Sequence, residues 1–140
     1  MRSLFLATAV ACVGLFGAEQ ALACSCVGGR IDDRLAQADA AIVGKLVDVD
    51  RVTARRVKLE YRVKRVFKGA PGLEPGESLR IRSPATGASC GLPRRRDRRY
   101  GLLLERRHKR LTANLCSVVP PKKLRRAADG KAKGRICASR

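Results

Sequence analysis

Val57-Lys58-Leu59-Glu60-Tyr61-Arg62-Val63-Lys64 alternates apolar and charged residues without a break. A period of two puts one set of side chains on a buried face and the other in water, so the stretch predicts a β-strand with a basic outer face. Upstream, residues 40–49 are rich in β-formers (Ile42, Val43, Leu46, Val47, Val49) and predict a strand before it. Downstream, residues 69–76 hold two Pro and three Gly and predict a loop. Leu79 and Ile81 then alternate with Arg80 and Arg82 in a third strand, and residues 83–93 read as irregular. Residues 100–104 and 111–118 predict two more strands, with the run Arg106, Arg107, His108, Lys109, Arg110 as their turn. Pro120-Pro121 ends the β region. A short helix is expected at 31–38, where Leu35 and Ala38 stand at helical spacing from Ile31, and a short basic helix at 122–128, stopped near Gly130. Five strands with short flanking helices predict an all-β fold, a small closed or partly closed barrel such as the five-stranded OB-fold.

The chain has 140 residues, 31 of them Lys or Arg against 12 Asp or Glu, for a net charge of +19. That length holds one domain at most. Residues 1–23 read as a secretory signal peptide: Arg2 is the positive start, residues 4–16 are apolar but too short to span a bilayer, and Ala21-Leu22-Ala23 is a small-x-small cleavage pattern. Cleavage there leaves residues 24–140, beginning on Cys24, exported and without a transmembrane segment. A Cys directly after the cut also suits a lipoprotein signal that would anchor Cys24 to lipid, but such signals carry Leu where this chain has Ala21. Arg2 and Glu19 cancel, so the exported chain keeps the +19.

A field of that sign favours anionic partners such as acidic extracellular polymers. Candidate contacts are Arg94, Arg95, Arg96, Arg98 and Arg99, followed by Arg106, Arg107, Lys109 and Arg110. The bland reading is an arginine-rich bias that solvates the surface. Nucleic acid is disfavoured, because beyond the leader only Tyr61, Phe67 and Tyr100 offer aromatic faces for stacking bases. The composition also argues against an enzyme. His108 is the sole histidine and sits inside a basic run, the acids are scattered apart from Asp32-Asp33 at a helix start, and no Gly-rich phosphate loop is present.

Six cysteines occur, at 12, 24, 26, 90, 116 and 137, and Cys12 leaves with the leader. In an exported protein, four of the rest predict two disulfides, with three possible connectivities. Cys24 and Cys26 are two apart, so extended backbone points them the same way and each needs a distant partner, most economically Cys90 and Cys116. Each such staple stabilises the fold by about 4 kcal/mol in the chain-entropy model. Cys137 is left over, as a free thiol, a cross-link between two otherwise monomeric copies, or a partner in another pairing.

Cys24-Ser25-Cys26-Val27 resembles the N-terminus of the tissue inhibitors of metalloproteinases, whose N-terminal domain is a netrin-like OB-fold barrel. Asp39-Ala40-Ala41-Ile42-Val43-Gly44-Lys45 is similar to that family's first strand, and Val66-Phe67-Lys68-Gly69 to the end of its second. Ser89-Cys90-Gly91 and Leu115-Cys116-Ser117-Val118 are similar to its two partner-cysteine segments. The resemblance implies disulfides Cys24–Cys90 and Cys26–Cys116. It implies a secreted inhibitor of zinc metalloproteases in which the amine and carbonyl of Cys24 chelate the protease's zinc, with no metal or cofactor of the inhibitor's own. The amine must then be free and neutral, and an α-amino group ordinarily titrates at about 7.7–8.0. Ser25 would face the primary specificity pocket, Cys26 and Val27 would pack beside it, and Ala88 and Ser89 would form the second edge of contact. Two features depart from the family: the partner expected for Cys137 near Ala36 is absent, and Gly28-Gly29 stands where prolines are usual. The alternative is an extracellular basic netrin-like module that binds anionic polymers without inhibiting a protease.

Overall fold

Val57, Leu59, Tyr61 and Val63 are buried, and the residues between them lie at or near the surface. The computed structural model describes residues 24–26 and 28–137, with side chains as far as residue 130. The expected leader, Val27 as a protease contact and the bonding of the Cys137 side chain lie outside the described residues.

The elements run α1 (Ile31–Gln37), β1 (Ala40–Thr53), β2 (Arg56–Lys68), β3 (Ser78–Pro84), β4 (Arg99–Arg107), β5 (Arg110–Thr112), β6 (Val118–Val119) and α2 (Pro121–Cys137). All pairings are antiparallel, in the order β3-β2-β1-β4-β5, with β6 also on β4. Three strands in sequence followed by a fourth that returns beside the first is a Greek key. This is the strand order of an OB-fold barrel, here left open because β3 and β5 do not pair.

β1 shapes the barrel. Its first six residues pair with β4 (Ala40↔Leu104 to Lys45↔Arg99), while the whole strand pairs with β2 through four register shifts. Each shift is a bulge that adds twist and bends the strand, so β1 can belong to both halves of a coiled sheet. Ala40 to Gly44 are consequently buried on both faces. Ala40, Ile42 and Leu46 point into the barrel with Tyr61 and Leu102, whereas Ala41 and Val43 pack outward with Leu103. Leu35 of α1 and Leu124 of α2 complete this outer layer. The helices therefore cover one outer face and leave that of β2–β3 bare.

Several elements differ from expectation. β1 and β2 are longer, because once paired they extend each other to a turn at Ala54-Arg55, where Thr53 Oγ1 accepts from the Arg55 and Arg56 amides at 3.3 and 3.1 Å. The strand expected over 111–118 breaks into β5, a 3-10 turn at Leu115–Ser117 and β6, giving six strands among the described residues where five were expected. Asn114 causes the break: its side chain accepts from the Ser117 amide at 3.1 Å while Ser117 Oγ accepts from the Asn114 amide at 3.2 Å. That reciprocal cap satisfies the turn locally and competes with the sheet ladder. α2 runs past Gly130, since Pro121 suits a first helical turn and one interior glycine costs only about 1 kcal/mol.

Candidate functional site

Two disulfides hold the segment 24–26: Cys24–Cys90 with Cα atoms 5.1 Å apart, and Cys26–Cys116 at 5.2 Å. This is the pairing that the family resemblance implies. Ser25 and Cys26 are exposed between their anchors. The Cys24 and Cys116 sulfurs lie 3.9 Å apart, so the two bridges adjoin. Three sulfurs, of Cys24, Cys26 and Cys116, fall within 4.8 Å of one another. All are consumed in disulfides, and a metal needs thiolates.

Both anchor segments are built to stay in place. Cys90 has φ 62, a left-handed backbone that non-glycine residues rarely adopt. A turn sustains it: the Thr86 carbonyl accepts from the Ser89 and Gly91 amides at 3.2 and 2.9 Å, and the Gly87 carbonyl accepts from the Cys90 amide at 3.0 Å. Gly91 is obligatory, because a Cβ there would stand 2.4 Å from the Pro84 carbonyl oxygen. Behind it, the buried Ser83 hydroxyl accepts from the Leu92 amide at 2.8 Å. The Leu115 amide donates to the Cys90 carbonyl at 2.9 Å, and Arg34 of α1 donates to the Cys116 carbonyl. α1 is itself clamped from β2, since Lys68 Nζ donates to the carbonyls of Ala36, at 3.0 Å, and Ala38.

Of the residues expected to touch a protease, Cys24, Ser25, Cys26, Ala88 and Ser89 therefore come together on one exposed ridge, Ala88 and Ser89 through the Cys24–Cys90 bond. A Cβ at Gly28 would meet open space among the described residues.

The basic candidates separate. Arg94 to Arg99 approach β4 at its start and are tied to β1: Arg96 pairs with Asp48 at 2.8 Å, Asp97 with Lys45 at 2.7 Å, and the Arg95 carbonyl accepts from the Tyr100 hydroxyl at 3.2 Å. Arg106 to Arg110 lie at the opposite end of β4, up to about 26 Å away along extended strand. There they line a groove of about 920 Å³ whose other wall is Arg56 and Lys58 of β2 with Arg80 and Arg82 of β3. Those four form no basic run in the sequence, because alternation spaces them singly along the chain. The signal was present in that same alternation, which put them on the outer face of neighbouring strands.

Neutralising contacts depress several carboxyls. Lys58, hydrogen-bonded to Asp50, is the main cause for that group, Arg80 for Glu60 and Lys45 for Asp97. Tyr61 moves the other way: burial first, then Tyr100, pushes its phenol well above the ordinary value.

Comparison with protein-family models and with curated protein sequences finds no match. No helix among the described residues is long and apolar enough to cross a membrane. The two disulfides fit an oxidising compartment.

Proposed function

We propose that the protein is a secreted inhibitor of zinc metalloproteases that presents the amine and carbonyl of Cys24 to the catalytic zinc. One observation carries this reading: the segment Cys24-Ser25-Cys26, half-buried at Cys24 and exposed at Ser25 and Cys26, is tethered at both cysteines, and the Cys24–Cys90 bond ties it to the exposed Ala88-Ser89 loop. A catalytic zinc keeps one position for the water that attacks the substrate. Two donors from one residue, the amine nitrogen and the carbonyl oxygen, displace that water and leave the enzyme without its nucleophile. Affinity then depends on holding the donors in place before docking, because ordering a loose terminus costs free energy at the moment of binding. The Cys24–Cys90 bond supplies that constraint at the chelating residue itself, and the Leu115–Cys90 and Arg34–Cys116 hydrogen bonds stiffen what it is attached to. Ser25 is a small side chain that many primary pockets accept.

The test is titration of a zinc-metalloprotease panel with two purified forms, one beginning at Cys24 and one retaining Ala23. Inhibition by the first and not the second supports the reading. Lack of inhibition by both, with both disulfides formed, rejects it.

A further inference from the structure

The groove between β2–β3 and the β4–β5 hairpin carries charge out of proportion to its size. Four cations come from each wall, and no carboxylate among the described residues lines it. Lys58, Arg80 and Arg107 have acidic partners in Asp50, Glu60 and Glu105. Arg56, Arg82, Arg106, Lys109 and Arg110 have none among the described residues.

Folding alone does not favour this arrangement. Lys58 stands directly opposite Arg82 across β2–β3, and Arg107 opposite Arg110 across β4–β5. Like charges in register oppose pairing. The hairpin tip adds to the cost, since His108 and Lys109 have φ 46 and 64 where such turns ordinarily use Asn or Gly. A ligand that brings negative charge into the groove relieves the repulsion on both walls.

We infer that this groove binds a single linear polysaccharide chain bearing carboxylate or sulfate groups. Six of the eight cations are arginines, whose planar forks pair two-pronged with such oxyanions. Leu73, Leu79, Leu111 and Pro71 also line it, apolar surface suited to the C–H faces of sugar rings. Among the described residues no Tyr, Phe or Trp lines the groove and His108 is its one aromatic ring, so a nucleic-acid strand finds no row of stacking platforms. Cations on two facing walls also suit a chain rather than the plane of a bilayer. No residue of the Cys24 ridge lines the groove, so the inference stands apart from the protease reading.

The disulfide-bonded protein is titrated with a heparin-derived oligosaccharide and an oligogalacturonate, with a single-stranded oligonucleotide and phosphatidylserine vesicles as rivals. At least one oligosaccharide should bind, and raising salt from 0.1 to 0.4 M should weaken binding by about a hundredfold if five cations each release about 0.7 of a counterion. Arg82→Glu with Arg110→Glu should weaken binding by about tenfold or more. Arg62→Glu with Lys64→Glu, an equal charge change on exposed β2 positions outside the groove, should change it by less than about twofold. Circular dichroism and thiol titration report whether each variant is folded, and Arg82→Gln with Arg110→Gln replaces a glutamate pair that is not. Equal losses in both double variants, tighter binding of the oligonucleotide or vesicles, or no binding of either oligosaccharide would overturn the assignment.

Discussion

The Leu115 amide donates to the Cys90 carbonyl at 2.9 Å, so the partner segments of the two disulfides are hydrogen-bonded to each other as well as disulfide-bonded to residues 24–26. Cys90 anchors Cys24, and Cys116, one residue after Leu115, anchors Cys26. Loops far apart in sequence thus act as one support for residues 24–26.

Removing one staple tests that support. Cys26→Ser with Cys116→Ser opens a link between residues 90 apart and should cost about 4 kcal/mol in urea denaturation. The substitutions are made as a pair because a lone thiol at 116 would lie 3.9 Å from the Cys24 sulfur and invite exchange. A loss under about 1 kcal/mol would show that the remaining contacts hold the ridge without it.

Gly91→Ala probes the turn behind Cys24. Its Cβ would sit 2.4 Å from the Pro84 oxygen and 2.6 Å from the Thr86 oxygen, both backbone atoms that cannot rotate away. Destabilisation by about 2 kcal/mol or more is expected, of the order that overpacking costs. If the protein inhibits as proposed, inhibition should fall further than stability explains, because the turn sets the direction of the Cys24–Cys90 bond. Unchanged protease titration by a folded Gly91→Ala protein would remove the turn from the mechanism.

Tyr61 is wholly buried, edge-to-face with Tyr100 with ring centroids 6.2 Å apart, and its hydroxyl has no hydrogen-bond partner among the described residues. A buried polar group without a partner costs about 1–3 kcal/mol. Tyr61→Phe keeps the ring and removes the orphan, so it should be neutral or stabilising in thermal melts. Tyr61→Ala empties the barrel and should cost about 3–5 kcal/mol. A destabilising Tyr61→Phe would mean that the hydroxyl is satisfied in solution.

Acid should weaken the fold. Asp50, Glu60 and Asp97 have folded pKa values below their unfolded ones, mainly through Lys58, Arg80 and Lys45. A depressed pKa contributes stability above the unfolded value, near pH 4, and loses it as pH falls through the folded value. Protonation also adds to a net charge already at +19. Urea midpoints should therefore be flat from about pH 5 to 7 and decline below about pH 4. A midpoint that rises on acidification would contradict the assignment of these ion pairs.

The strand pattern was legible wherever one face is buried and the other wet. Val57 to Val63, and Leu79 with Ile81, read directly because a half-buried strand must alternate. The break after Thr112 was not, because Leu115 to Val118 is as apolar as a strand and the Asn114–Ser117 cap that ends the ladder depends on local geometry. The extent of β1 was hidden for a related reason: Asp50 and Arg51 interrupt its run of β-formers, and the strand continues through them by pairing with β2.

By itself the sequence determined the all-β class, the two tethered cysteines at 24 and 26 and the excess of positive charge. These follow from local periodicity and residue chemistry, which act along the chain. Only the tertiary structure decided that Arg94 to Arg99 and Arg106 to Arg110 stand at opposite ends of β4. It alone placed Arg56, Lys58, Arg80 and Arg82 across from the second run, and left open the edge between β3 and β5. Those outcomes depend on how bulges coil β1 and on which strands pair, interactions between residues dozens of positions apart that no one-dimensional pattern records.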